Sequence, residues 1–162
     1  MRQPAIIFDR DGTMASVAFT APKSGAGDAA WANFNASIRF DAPVPVVVAL
    51  WHSIRPGVAR IMVSGRDGAQ APAMRDWMHK NGIFPDAFFH RPAGDRRVDS
   101  VVKAQILVEK IMPRWDVRFA VDDRPQVVDM WRAHGIHVMQ VTDPRIVPRI
   151  AIASVQMQHN VV

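Results

Sequence analysis

The chain has 162 residues, a formal net charge of +5, 49% hydrophobic and 22% charged residues, and neither cysteine nor tyrosine. This length and balance predict one packed domain spanning residues 1–162 rather than a disordered chain. The lack of cysteine rules out disulfides, thiolate catalysis, zinc–thiolate sites and iron–sulfur clusters, and no apolar run reaches the roughly 18 residues of a membrane-spanning helix.

The opening MRQPAIIFDRDG meets Asp9 after too short an apolar run for a secretory signal. A cytoplasmic protein with no membrane partner is therefore expected. The basic residues are 16 Arg and 4 Lys, against 14 Asp and the single Glu109. The excess suits a phosphate-bearing partner, although an arginine-rich composition alone would give the same number.

Along the chain, short β-rich runs alternate with helical patterns. Ala5–Phe8 is the first run and closes on Asp9. In residues 43–54, Val46, Val47 and Val48 favour a strand, but Pro45 and the length of the run favour a helix starting there. Val58–Ser64 is the second run, closing on Gly65. A helix opens at Pro72, with Met74, Trp77 and Met78 on one face and Gly82 as its stop. Ala87–Phe89 is the third run. Asp99 reads as the N-cap of a helix to about Met112, or equally as a partner that orients Lys103 or an Arg, with Val101, Ala104, Val108 and Ile111 as the helix's apolar stripe. Val117–Val121 is the fourth run and ends at Asp122 and Asp123. Pro125 opens a helix with Val127, Val128 and Trp131 inward and Gly135 at its end, and Ile136–Val141 is the fifth run. Residues 146–162 fit a helix, an added strand or a dimer contact equally well. Alternating strands and helices predict an α/β fold, with a parallel sheet covered on both faces. Ligands then bind beyond the carboxyl ends of the strands.

The chemistry collects at those ends. Asp9 and Asp11 follow the first run, Ser64, Gly65 and Arg66 the second, and Asp122 and Asp123 the fourth, while Lys103 lies early in the helix after the third. Crowded carboxylates repel unless a cation sits among them, and an all-oxygen donor set favours magnesium over zinc. Ser64 and Lys103 add the hydroxyl and the positive charge that a phosphoryl group requires. A carboxylate at a strand end can attack phosphorus, and a second, two residues on, can exchange a proton with the leaving oxygen and then with water. Gly12 permits the sharp turn between them and the next segment.

FDRDGT (Phe8–Thr13), VSGR (Val63–Arg66), Lys103 and VDDRPQVVDMWR (Val121–Arg132) together resemble the four ordered motifs of the haloacid dehalogenase (HAD) phosphohydrolases. SGRDG, GDRRVDSVVK and DDRPQVVDMWR resemble, more narrowly, the 3′-phosphatase domain of bacteriophage polynucleotide kinase–phosphatase, with likeness from about Ile6 to Val141. The resemblance implies a three-layer HAD-like Rossmannoid fold with a five-stranded parallel sheet. It implies Asp9 as the nucleophile, Asp11 as general acid and base, Ser64 and Lys103 on the transferring phosphoryl group, and Mg2+ held by Asp9, Asp11 (through its carbonyl), Asp122 and Asp123. Arg66 is the substrate contact that the resemblance implies, and Gly65 and Thr13 stand beside it as candidates. Arg97, Arg91 and Arg96 are candidates because forked guanidiniums suit phosphates and bases, the rival reading of each being a surface salt bridge. Position 10 is usually apolar in that family; Arg10 here is expected to face substrate or solvent. Trp31 and Phe34 lie in a stretch with no anchored likeness, where stacking on a base is one reading.

Ser64 to Lys103 has room for one helix, one strand and their connections. Met14–Gly57 has room for a flap over residues 14–42, but not for a large cap. An open site suits a polymer end. PKSGAG (Pro22–Gly27) lacks the order of a phosphate loop, so a 5′-kinase, like a ligase, would be a separate partner. The expected function is a magnesium-dependent 3′-phosphatase of DNA or RNA ends, with 2′,3′-cyclic phosphates as further substrates implied by the resemblance. The rivals are a phosphatase of small molecules such as nucleotides and, further off, a non-catalytic module that binds nucleic-acid ends. Oligomeric state is not readable from the sequence.

Overall fold

The computed structural model describes residues 1–17 and 26–141; the readings for residues 146–162 and most of PKSGAG lie outside them. In chain order come β1 (Gln3–Asp9), β2 (Ala15–Ser16), α1 (Asp28–Ala36), a 3-10 turn (Ser37–Phe40), β3 (Ala42–Pro43) and α2 (Pro45–Ser53). Then follow β4 (Ala59–Asp67), α3 (Ala71–Lys80), β5 (Ala87–Arg91), α4 (Asp99–Ile106), β6 (Trp115–Asp122), α5 (Pro125–Ala133) and β7 (His137–Gln140).

Five strands form one sheet in the order β5-β4-β1-β6-β7, and every pairing is parallel. The chain walks outward from β1 in one direction, then returns to its other side. With right-handed crossovers, that reversal puts α2 and α3 on one face and α4 and α5 on the other. Alternation along β1 shows the result: Ile6 and Phe8 join a core with Val47 and Trp51 of α2 and Met74, Trp77 and Met78 of α3. Ala5 and Ile7 join the opposite core, with Val102 and Ile106 of α4 and Val127 and Trp131 of α5. The α/β three-layer fold read from the sequence is therefore present, and all five predicted runs are strands.

Pro45 does open α2: a preset φ and the burial of Val47 and Trp51 outweigh the strand preference of three consecutive valines. Two expectations for α4 fail. The residue before the helix is Val98 and no side chain caps it; Asp99 is buried and engaged elsewhere. The stripe is also displaced, because Val101 and Val108 are half-exposed while Val102, Ile106 and Leu107 face the core. After Ile106 the helix widens into a π turn over Leu107–Ile111, which delays the rotation of its apolar face and lets Ile111 stay buried.

Pattern reading also misses α1 and the small antiparallel ribbon of β2 and β3, which pairs Ala15 with Pro43 and Ser16 with Ala42. Only Phe34 of α1 is buried, so the helix lacks the periodic apolar stripe that would announce it. No helix among the described residues is long and apolar enough to cross a membrane.

Trp51 is fully buried, with its ring edge-on to Phe8 at 5.0 Å and its indole N–H without a hydrogen-bond partner. Trp51→Ala should cost about 3–5 kcal/mol in urea unfolding. Trp51→Phe should cost far less, since it removes an unsatisfied donor while keeping most of the packing.

Candidate active site

β1 and β6 are neighbours, so the parallel register brings Asp9, at the end of one, beside Asp122, at the end of the other. The buried face of α4 lays Lys103 between them. Its Nζ donates to Asp9 Oδ1 at 2.6 Å and to Asp122 Oδ2 at 3.0 Å, and lies 3.6 Å from Asp99 Oδ2. Burial alone would lower the Lys103 ammonium, but Asp9, Asp122 and Asp99 more than reverse this and hold it well above its ordinary value. Asp122 is further fixed by the Trp131 indole N–H at 3.1 Å and the Arg124 backbone N–H at 3.2 Å.

Asp9, Asp122 and Asp123 each bring a carboxylate oxygen to within 4.8 Å of the others. Burial pushes the Asp9 carboxyl up, Lys103 pulls it down, and Asp122, Asp123 and Asp11 push it up again. Burial and Asp122 likewise raise Asp123 to about 6. Asp9 Oδ2 is buried and accepts no hydrogen bond from the protein. Gly12 has φ +94°, and a Cβ there would collide with the Asp123 carboxylate, whose Oδ1 accepts from Thr13 Oγ1 at 3.2 Å. An orphaned oxygen in a cradle of hard, negatively charged donors fits a divalent cation of the magnesium class.

A second cluster surrounds Asp11. Its Oδ2 accepts from Ser64 Oγ at 2.9 Å, its Oδ1 lies 2.7 Å from Arg66 Nη2, and Arg10 Nη1 pairs with the same Oδ1. Burial would raise the Asp11 carboxyl, but Arg10, Arg66 and Ser64 outweigh it and hold it below its ordinary value. Arg10 itself is wholly buried, which overturns the expectation that it faces substrate or solvent: Asp41, from the insertion between β2 and β3, offers a buried counter-charge at 3.1 Å.

The two clusters open on a cavity of about 530 Å³ whose lining includes Asp9, Asp11, Gly65 and Arg66, with Trp31 and Asn35 of α1. Arg91, Arg96, Arg97 and Arg124 also line it, interspersed with Asp28, Asp67, Asp95 and Asp99. Arg91 is a scaffold: its guanidinium donates to the carbonyls of Gly65 at 2.5 Å and Arg97 at 2.6 Å, tying the loop before α4 to the end of β4. Arg97 pairs with Asp95, at 2.6 Å between Nη2 and Oδ2, and holds that carboxyl down at about 2. Gly65 is required by proximity, because a Cβ there would run into the Asp99 carboxylate.

Asp9, Asp11, Ser64, Lys103, Asp122 and Asp123 thus converge as the motif spacing predicts. Ser64 and Thr13 are wholly buried, with their hydroxyls on Asp11 and Asp123. Gly65, Arg66 and Arg97 line the cavity. Sequence reasoning misses Asp41, which sits in a stretch with no motif, and Trp131's hydrogen bond to Asp122, which its apolar stripe conceals. It leaves Asp99 divided between helix cap and partner of Lys103; the structure places it with Lys103, Arg91 and Arg124.

Because the Asp123 carboxyl, at about 6 in the folded protein, lies above its ordinary 3.8, the cation-free fold binds this proton more tightly than the unfolded chain. It loses stability as pH rises through that interval. A divalent ion takes the proton's place, so its stabilisation should be full about one unit above 6 and mostly lost about one unit below. Melting curves with and without magnesium at the two pH values check this; equal gains would contradict it.

A profile of the polynucleotide kinase PNKP phosphatase domain matches residues 3–145 of the chain. A chain in a structure of the Pnkp1/Rnl/Hen1 complex is similar at 28% identity and a TM-score of 0.76, over 87% of this chain and 46% of that one. A structure of the Pnkp1/Rnl/Hen1 RNA repair complex gives 27% identity and a TM-score of 0.77, over 87% and 43%. The chain therefore spans less than half the length of those chains. The class C acid phosphatase from Bacillus anthracis, with tungstate bound, shares the fold at 15% identity and a TM-score of 0.60, over 100% of this chain and 81% of that one. With the profile match covering most of its length, the chain belongs to the PNKP phosphatase domain family of HAD phosphatases.

Proposed function

We propose that the protein is a magnesium-dependent phosphatase of nucleic-acid 3′ ends, working through an aspartyl-phosphate at Asp9. The observation that carries this reading is the orphaned Oδ2 of Asp9, a residue lining the same cavity as Arg66, Arg97, Arg124 and Trp31. Asp9, Asp122, Asp123 and the backbone carbonyl of Asp11 would hold the ion, which supplies charge neutralisation for the phosphoryl oxygens.

Asp9 attacks phosphorus, forming an O–P bond as the bond to the ester oxygen breaks. Asp11 gives a proton to that oxygen, and the 3′-hydroxyl leaves neutral. Water then attacks the aspartyl-phosphate and loses its proton to Asp11, releasing inorganic phosphate and free Asp9. Arg10 and Arg66 keep Asp11 ionised, as the second half requires; the negative charge of an incoming phosphate favours the proton needed for the first. Lys103 offsets charge on Asp9 throughout.

Trp31 is half-exposed and braced edge-on by Phe34 at 5.9 Å. Its ring suits a base at the end of a strand, because stacking tolerates any base. The similarity to a chain from an RNA repair complex supports RNA ends as substrates and partner enzymes beside it; the partner we propose is a kinase or ligase, and the setting cytoplasmic.

Phosphate release from oligonucleotides bearing a 3′- or a 5′-phosphate, with and without magnesium, tests the reading: only the 3′ substrate with magnesium should react. Asp9→Asn should abolish turnover with the fold intact by circular dichroism. Trp31→Ala should raise KM for the oligonucleotide about tenfold and leave kcat nearly unchanged. A mononucleotide turned over with equal kcat/KM would favour a small-molecule phosphatase instead.

A further inference from the structure

Arg10 carries a consequence for how Asp11 works. Its guanidinium is wholly buried and meets Asp11 Oδ1 as well as Asp41 Oδ2, the latter at 3.1 Å. It also donates to the Ile38 carbonyl at 3.3 Å and lies over the Trp77 ring at 4.5 Å. Trp77 in turn donates to the Asp41 carbonyl at 2.7 Å. Arg66 completes the group, 2.7 Å from Asp11 Oδ1 and 3.5 Å from Asp41 Oδ2. It donates to the Phe34 carbonyl at 2.8 Å and stacks 3.6 Å over the Phe34 ring. Two guanidiniums and two carboxylates thus form a neutral buried quartet. One carboxylate is on the catalytic turn, and the other stands at the far end of the insertion, next to β3.

Stability is a poor reason for such a group, because replacing buried ion pairs with apolar residues of similar volume is often neutral or stabilising. Contact with substrate is no reason either, since Arg10 has no exposed surface. What the quartet does provide is orientation. Both guanidiniums converge on Oδ1 of Asp11, leaving Oδ2 aimed at Ser64.

Resting on the reading of Asp11 above, we propose that Arg10 is a positioning residue: braced by Asp41, it fixes the Asp11 carboxyl where its proton can reach the departing ester oxygen. In that step the Asp11 O–H bond breaks as the oxygen–phosphorus bond of the ester breaks and the bond from Asp9 to phosphorus forms. The quartet makes the insertion between β2 and β3 part of the acid catalyst. A misplacement of about 1 Å in such a group costs on the order of a hundredfold.

The test separates aim from fold by varying the leaving group. For a series of aryl phosphates from 4-nitrophenyl to phenyl phosphate, kcat/KM reports the steps through departure of the phenol. A poor leaving group needs the proton more than a good one. In Arg10→Met/Asp41→Leu, which removes the pair together and spares the core an unpaired charge, kcat/KM should fall at least about tenfold more for phenyl than for 4-nitrophenyl phosphate. Arg10→Lys, which keeps the charge and loses the fork, should show the same tilt to a smaller degree. A loss equal across the series, or no loss in either variant, overturns the proposal. An Asp11→Asn control, read as phenol released in the first turnover, should tilt the series most steeply. Equal loss there would overturn the acid role of Asp11 itself, a failure distinct from that of Arg10.

Discussion

The buried ammonium of Lys103 is the contact on which the site depends. Asp9 and Asp122 end adjacent strands, and side by side in a dry environment their charges would repel. One cation donating to both makes their closeness tolerable. It reaches them because α4 and the π turn after it pack Val102, Ile106 and Leu107 into the core beneath the sheet, which turns Lys103 toward the ends of β1 and β6. One ammonium cannot balance three carboxylates, and the residual negative charge suits the site to a second, exchangeable cation.

Asp9 and Asp11 are two residues apart yet belong to different electrostatic neighbourhoods. Asp9 lies among carboxylates and a lysine under α4 and α5, and its carboxyl is driven up. Asp11 lies among arginines on the side of the insertion, and its carboxyl is driven down. The sheet ends at Asp9, and the turn at Gly12 gives the following residues a different environment. This separation suits the two carboxylates of one short motif to the different roles proposed for them.

The layered fold was legible because short β-rich runs alternate with helices that open at or next to a proline, as α2, α3 and α5 do, and because α3 and α5 carry clean apolar stripes. The convergence of Asp9, Ser64, Lys103 and Asp122 was legible for the same reason: a parallel sheet puts all its carboxyl ends on one edge. Three features were not. Val101 and Val108 look like core residues by spacing, but Lys103 and Asp99 compete for the same inward face, and the π turn then alters the period. α1 buries only Phe34, so no periodicity marks it. Arg10 and Asp41 recognise each other across a stretch with no regular pattern, and nothing local to either residue signals a buried pair.

The ribbon of β2 and β3 closes the insertion at its base, much as a drawstring closes the neck of a bag. The rest of the stretch beyond the neck can change in length or sequence without disturbing the turn at Gly12, provided that Phe34, Ile38 and Asp41 keep their contacts with Arg10 and Arg66. Loop tips held this way tolerate replacement well. A change of sequence elsewhere in that stretch would therefore alter the lining of the cavity at Trp31 while leaving the contacts of Lys103 with Asp9 and Asp122 as they are.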